Sequence, residues 1–405
     1  MDSISSNIKR VIKSNTIFLV LIAVMLLFQV FIVATDNGSL FAPSNITNII
    51  KQNSYVVILA TGMLLCILTG GNIDLSVGSI VCLVGAIAGT LIVNWHLNIY
   101  LSIFLCLIVG ILIGAWHGLW IAFIHIPPFI VTLAGMLLWR GIALIILNGL
   151  TISPMPDSYL RLFNSSIPAI SDEAFDAMGF EAAQSRIYLV TMIIAALCCI
   201  ALIAVEIAKR GSRIKKGYEV ESKAMFVGKL VVLSAIILLI ANLLGNDSGL
   251  PVILVLMAVI VAIYGYYTQN TVPGRYLYAL GGNAKAAKLS GVNTDRVMFF
   301  AYTNMGFLSA VAALVCIARF NSAAPTAGTN YEMDAISSCF IGGASAYGGT
   351  GTVSGAVIGA VFMGVLNNGM SILGVDSNWQ RAVKGLVLLL AVLFDVMSKR
   401  KKSGK

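Results

Sequence analysis

Charge is what this sequence of 405 residues has least of. Asp, Glu, Lys and Arg make up only 11% of it, against 59% hydrophobic residues, and its mean hydropathy is +0.93. A water-soluble core cannot hide that much apolar surface, so the composition excludes a chain surrounded by water and makes lipid its main solvent. Histidine is scarcer still. His96, His117 and His125 are scattered, without the spacing of a catalytic or metal-ligating cluster, and no metal or cofactor is expected. The seven cysteines lie almost wholly inside apolar runs. They have neither ligand spacing nor the look of a disulfide framework, and read as small buried hydrophobes. No Gly-Lys-Ser/Thr follows Gly348-Gly349-Thr350-Gly351, so those glycines form no phosphate loop and supply no ATP hydrolysis. Low-complexity segments and a clear internal repeat are missing too. So is a short apolar leader ending in a small-residue cleavage site; the first apolar run is long enough to span, and reads as a retained helix.

What is present is a series of apolar segments, at roughly 16–35, 52–70, 75–94, 99–124, 128–148, 187–208, 226–245, 251–268, 297–319, 332–347, 352–374 and 380–398. About 20 apolar residues cross a bilayer as a helix. The pattern predicts an all-α, polytopic integral membrane protein with about 12 membrane segments. The segment at 332–347 is short and rich in Gly and Ser, and reads as a half-helix or re-entrant segment. Glycines spaced four apart (Gly110, Gly114 and Gly118; Gly351, Gly355 and Gly359) let helix backbones approach closely where lipid offers no hydrophobic drive. They predict one tight transmembrane domain over 1–405, with no linker-separated second unit.

The formal charge of +9 has a topological explanation. Nineteen of the 26 basic residues fall in four clusters: Lys9 to Lys13, Lys209 to Lys229, Arg275 to Arg296, and Lys399 to Lys405. With 12 spans all four lie on one side, which the positive-inside rule makes the cytoplasm. The loop 149–186 falls on the other side and is mostly acidic, with Asp157, Asp172, Glu173, Asp176 and Glu181 against Arg161 and Arg186. Both termini are therefore expected in the cytoplasm, and the basic charge needs no nucleic-acid partner.

The most polar and best punctuated stretch is Tyr276 to Asn293, inside an expected cytoplasmic loop at about 269–296. Gly281-Gly282 is expected to break the preceding structure. Asn283 is a good N-cap, Ala284 to Leu289 are helix formers, and Gly291 sits where a left-handed residue ends a helix. Ala284, Ala287 and Gly291 offer a face of small residues for close approach, and Lys285 and Lys288 can meet acidic groups. Two readings stand: a capped surface loop, or a docking element for a partner.

Polar residues in apolar surroundings are the other candidates. Asp74 interrupts two apolar runs, either as the cap of a tight turn or in a broken helix lining a passage. Arg140 lies inside the fifth span and must face protein or water; it reads as a structural ion-pair partner, with Asp74 a candidate. Glu332 and Asp334 begin the short tenth segment, either as helix caps or facing an external partner. Asn367 and Asn368, with Trp379, suit a neutral sugar, which needs hydrogen bonds and an apolar stacking face. Interhelical hydrogen bonding is the alternative for the two Asn.

Four stretches carry a family resemblance: Tyr278 to Asn283 with Ala286-Ala287 and Leu289 to Val292; Gly71 to Ser79; Pro128 to Gly135; and Glu332 to Ile336 leading to Gly342-Gly343. In this order, over most of the chain, they resemble the permease subunits of monosaccharide ABC importers, the ribose, galactose and xylose permeases. The extra pair of segments near 187–245 resembles the longer xylose-type members. The resemblance implies a multi-pass protein of the cell inner (cytoplasmic) membrane, working as a permease homodimer in lipid with a cytoplasmic ABC ATPase and a periplasmic or extracellular sugar-binding protein. It implies a monosaccharide substrate, xylose or a related aldose, and no catalytic residue in this chain. It assigns ATPase coupling to Gly281, Gly282, Asn283, Ala286, Ala287, Ser290 and Gly291. Candidates for the substrate path are Asn72, Asp74, Arg140, Asn367, Asn368 and Trp379. An ion-coupled secondary sugar transporter is the competing class, disfavoured by the few inner charges, essentially Asp74, Arg140 and Lys384. An integral membrane enzyme fares worse, since no His, Cys or carboxylate cluster is visible.

Overall fold

The computed structural model describes residues 16–168, 179–218, 220 and 222–403. Lys9, Arg10, Lys13, Asp172, Glu173, Asp176 and Lys405, used in the topology argument, lie outside the described residues. The helices in chain order are α1 (Thr16–Ala34), α2 (Pro43–Leu68), α3 (Val77–Gly89), α4 (Ile99–Gly118), α5 (Pro128–Leu147), α6 (Asp157–Asn164), α7 (Phe180–Lys215) and α8 (Lys223–Gly245). There follow α9 (Val252–Asn270), α10 (Val272–Gly282), α11 (Ala284–Leu289), α12 (Thr294–Phe320), α13 (Tyr331–Ile341), α14 (Val353–Ile372) and α15 (Ser377–Ser403). Each expected membrane segment coincides with one of these helices, and α6, α10 and α11 are additional. Ten are long and apolar enough to cross a bilayer. The other two expected segments are α13, with only 11 residues, and α15, whose apolar stretch carries Arg381, Lys384 and Asp395. The protein is all-α and polytopic.

Local chemistry sets the ends of these helices. Asn98 caps α4 by accepting the Tyr100 and Leu101 N–H groups, and Thr352 caps α14 through the Gly355 N–H. Asn148 and Asn321 close α5 and α12 in the left-handed region, a conformation Asn tolerates better than most side chains. α3 and α4 each run on into a π-helical turn, Thr90–Asn94 and Leu119–Phe123.

The described residues form two compact units. The larger comprises 16–40, 49–164 and 255–403, and its core is the contact of α4 with α12. The glycine row of α4 explains it. A methyl group added at Gly110 would come within 2.6 Å of the Gly306 carbonyl oxygen, and one at Gly114 within 2.5 Å of the Tyr302 oxygen. The backbones meet at the glycines, with only the Ala310 methyl group against Gly110 and the Phe299 ring beside Gly118, so dispersion contacts hold a pair that hydrophobicity cannot. The second row works the same way: Gly355 and Gly359 of α14 lie against Gly342 and Ser338 at the end of α13. Three segments between helices are unwound, at 69–76, 321–330 and 342–352, and they pack on one another or on helix ends.

The smaller unit comprises 41–48 and 165–254. In it α7 and α8 form an antiparallel hairpin. Gln184 donates to the Gly245 carbonyl at 2.8 Å, Tyr188 to Asn242 at 3.0 Å, and Lys229 pairs with Glu206 at 2.9 Å. A two-residue antiparallel ribbon, β1 (Ser166–Ile167) with β2 (Leu250–Pro251), ties the hairpin's base.

Candidate functional site

The stretch from Thr271 to Asn293 folds as two short helices. Thr271 caps α10 by accepting the Gly274 N–H, and Pro273 sits in its first turn. α10 ends at Gly282, as expected, and Asn283 after it is extended. Gly281 also lies so close to the Leu68 carbonyl and the Gly349 amide that no side chain fits, whereas a side chain at Gly282 would meet open space. Gly281 therefore serves packing as well as the helix end. Asn283 accepts the Ala286 N–H at 3.0 Å and starts α11. At the other end Gly291 has φ +85°. Its N–H donates to the Lys288 carbonyl at 3.1 Å, and the Val292 N–H donates to the Ala287 carbonyl at 3.1 Å. This pair of bonds is the Schellman closure, and Ala287 with Val292 supplies its apolar contact, both buried.

That geometry corrects the expected small-residue face. Ala287 is only 5% exposed and is covered by this chain, so it is not free for a partner. The outward residues are Ala284, Lys285, Ala286, Lys288, Leu289, Ser290 and Gly291, so Ala284 and Gly291 of that face stay accessible. Leu289 is 90% exposed, a fully presented apolar side chain on a polar loop. In the sequence Leu289 is only one of the helix formers of Ala284–Leu289; its presentation follows from the cap geometry, which turns Ala287 and Val292 inward.

The polar candidates separate into distinct places. Asp74 is fully buried in the unwound segment before α3. Its Oδ1 accepts the Ser76 N–H at 2.9 Å and the Ser76 hydroxyl at 2.5 Å, while Oδ2 is buried without a hydrogen-bond partner. Asn72 donates to the Thr69 hydroxyl at 3.2 Å. Arg140 makes no ion pair with Asp74. It donates to the carbonyls of Pro325 and Ala327 at 3.2 and 2.5 Å. The reason is that segment 321–330 is unwound, so those carbonyls have no helical donor and compete for the guanidinium. Asn368 is buried on α14, and Asn367 beside it is half-buried with Oδ1 unpartnered. Trp379 is 69% exposed at the start of α15.

A further constellation joins residues far apart in sequence. Asp334, in the first turn of α13, is 2% exposed and lies 2.9 Å from Lys384 Nζ on α15. Tyr55 of α2 donates to the same carboxylate at 3.1 Å and stacks on Tyr331 with ring centroids 3.9 Å apart. Asp334, two residues after Glu332, and Lys384, three after Arg381, are charges in mostly apolar runs; nothing in the spacing marks them as a pair.

Comparison with known proteins follows the same architecture. The family model described as branched-chain amino acid transport system / permease component matches residues 45–180 and 180–392. The chain belongs to this family. It is 36% identical to the xylose transport system permease protein XylH of Haemophilus influenzae, over 95% of this chain and 97% of that one. XylH of Escherichia coli is also 36% identical, over 94% of this chain and 92% of that protein. The ribose import permease protein RbsC of Escherichia coli is 34% identical, over 92% of each. No solved structure matches the chain. This member of the permease family is thus related along almost its whole length to proteins named for pentose transport.

Proposed function

We propose that the chain is the transmembrane permease subunit of an ATP-binding-cassette importer for a monosaccharide, xylose or a closely related aldose. The observation that carries this reading is similarity to xylose permeases over 95% of the chain. The connector from Thr271 to Asn293 agrees with it. α11 is capped at both ends by its own residues, so it is held as a rigid projection, with Leu289, Lys285 and Lys288 outward. Such a projection suits transmission of force from a cytoplasmic ATPase, with Gly281, Gly282, Asn283, Ala286, Ser290 and Gly291 shaping it and Ala287 anchoring it. ATP hydrolysis belongs to that partner, and delivery of the sugar to a soluble binding protein outside. The permease works in lipid as a homodimer, with both termini and the connector in the cytoplasm and 149–186 outside. Asn72, Asp74, Arg140, Asn367, Asn368 and Trp379 are the candidates for the path; Trp379, exposed in one chain, would reach it only at a surface shared with a second copy.

The test is uptake of labelled xylose and ribose into proteoliposomes containing the chain, with and without an ATPase, ATP and binding protein. Uptake that needs all three and survives collapse of the proton gradient supports the importer. Accumulation by the chain alone, driven by a pH gradient, overturns it in favour of an ion-coupled transporter.

A further inference from the structure

We infer that Asp334 and Lys384 are positioning residues for transport: their part-buried ion pair is one of two tethers by which α15 holds the half-helix α13, and the loop behind it, in register with the connector. The inference rests on the proposed role of the connector.

α13 has 11 residues, about 16 Å of helix at 1.5 Å per residue, and cannot span a bilayer unaided. It is preceded and followed by unwound chain, so its position depends on neighbours at both ends. At its start, Lys384 Nζ lies 2.9 Å from Asp334 Oδ1 and 3.3 Å from Oδ2. Beyond its end, the Ala346 N–H donates to Asp395 Oδ2 at 3.4 Å. Lys384 and Asp395 both belong to α15 and are three helical turns apart, which returns them to one stripe about 16 Å apart. One helix thus grips α13 at the start and the following loop at the finish, over a span equal to the length of α13.

The gripped loop is also where the connector touches the membrane helices. Tyr278 of α10 donates to the Gly351 carbonyl at 3.0 Å. The Gly349 N–H donates to the Leu68 carbonyl at 3.1 Å, beside Gly281. A shift of α10 therefore meets the end of α2 at Leu68 and the 345–351 loop together, and α15 relates that loop to Asp334. An ion pair at this depth adds little net stability against an apolar pair, yet losing one partner strands a charge. It therefore fixes one register of α13 more than it strengthens the fold.

The test is a double-mutant cycle read as ATP-driven uptake in the proteoliposomes above. The variants are Asp334→Asn, Lys384→Gln and the two together, with ATPase co-purification and ATP hydrolysis measured in parallel. Each single variant is expected to lower uptake at least tenfold while still binding an active ATPase, so that sugar moved per ATP falls. The neutral double variant should recover at least threefold over the worse single. Singles within twofold of the parent, a double loss equal to the product of the singles, or loss of the ATPase in step with uptake would each overturn the inference. If a single variant fails to insert, the double decides: insertion with uptake supports the pair, and insertion without uptake overturns it. If the unaltered chain shows no ATP-dependent uptake, it is the proposed function that has failed, which the same vesicles reveal.

Discussion

Val292 and Ala287 close α11 together: the Val292 N–H donates to the Ala287 carbonyl at 3.1 Å, and both side chains are buried against the chain itself. Leu289 stands out in consequence. The expected partner contact moves from Ala287 to Leu289, and the two positions should respond differently. Leu289→Asp should lower ATPase co-purification and uptake at least tenfold, because it puts a charge where an apolar side chain of about 1.5–3 kcal/mol would be buried. Its proteolytic resistance should equal the parent's. Ala287→Arg should instead loosen the connector, seen as faster cleavage within 283–293. Unchanged association in Leu289→Asp would show that this face meets no ATPase.

The two caps of α11 give a graded pair. Asn283→Ala removes one side-chain acceptor, worth about 1 kcal/mol. Gly291→Val forces a β-branched residue into φ +85°, a true outlier for that residue type, with a cost of roughly 1–3 kcal/mol. An isolated helix of this length is marginal, so both changes should act on its order. Amide exchange of 284–289 should rise in Asn283→Ala and rise further in Gly291→Val. The reverse order would contradict the cap geometry.

The parts of this molecule that were legible in the sequence are those governed by local rules. Twelve apolar runs, one of them short, gave twelve helices, and Asn283 and Gly291 announced the bounds of α11 residue by residue. The glycine rows of α4 and α14 announced close packing, since no other residue allows it. What stayed hidden is what depends on three-dimensional partners. Arg140 was recognisable as a charge needing company, but its company is a pair of carbonyls made available by unwinding 185 and 187 positions away. Asp334 finds Lys384 50 positions on, and Tyr55 279 positions back. Ala287 could not be told from Ala284 or Ala286 as the inward residue until the Schellman closure set the helix's rotation.

Sidedness can be measured directly. The basic clusters at 209–229, 275–296 and 399–402 predict one face, and the acidic loop at 149–186 the other. Ile214→Cys should be closed to a membrane-impermeant maleimide in intact cells and open in inverted vesicles, and a Cys at Ser158 should show the opposite. External labelling at position 214 would invert the map and place the connector away from any cytoplasmic ATPase.

Arg140 offers a case in which insertion and folding should part company. Placing Arg near the centre of a span costs about 3 kcal/mol on the insertion scale, and Leu is favourable there by a few tenths. Arg140→Leu should therefore insert at least as well as the parent. In the folded chain, however, the guanidinium is the donor for the Pro325 and Ala327 carbonyls, in a segment with no helical bonds of its own. Leaving an acceptor unpaired costs roughly 1–3 kcal/mol; the Ala327 carbonyl loses its side-chain donor and the Pro325 carbonyl keeps only the Cys82 thiol at 3.6 Å, so the loss is felt only after the protein has folded. The expected signature is normal yield in the membrane, a midpoint of thermal unfolding in detergent lowered by several degrees, and faster cleavage within 321–330. Arg140→Lys is one bond shorter and keeps the charge, so it should fall between the two. Should Arg140→Leu unfold at the parent's temperature with 321–330 still protected, the two carbonyls must be satisfied without Arg140, and the guanidinium is not what holds that segment against α3 and α5.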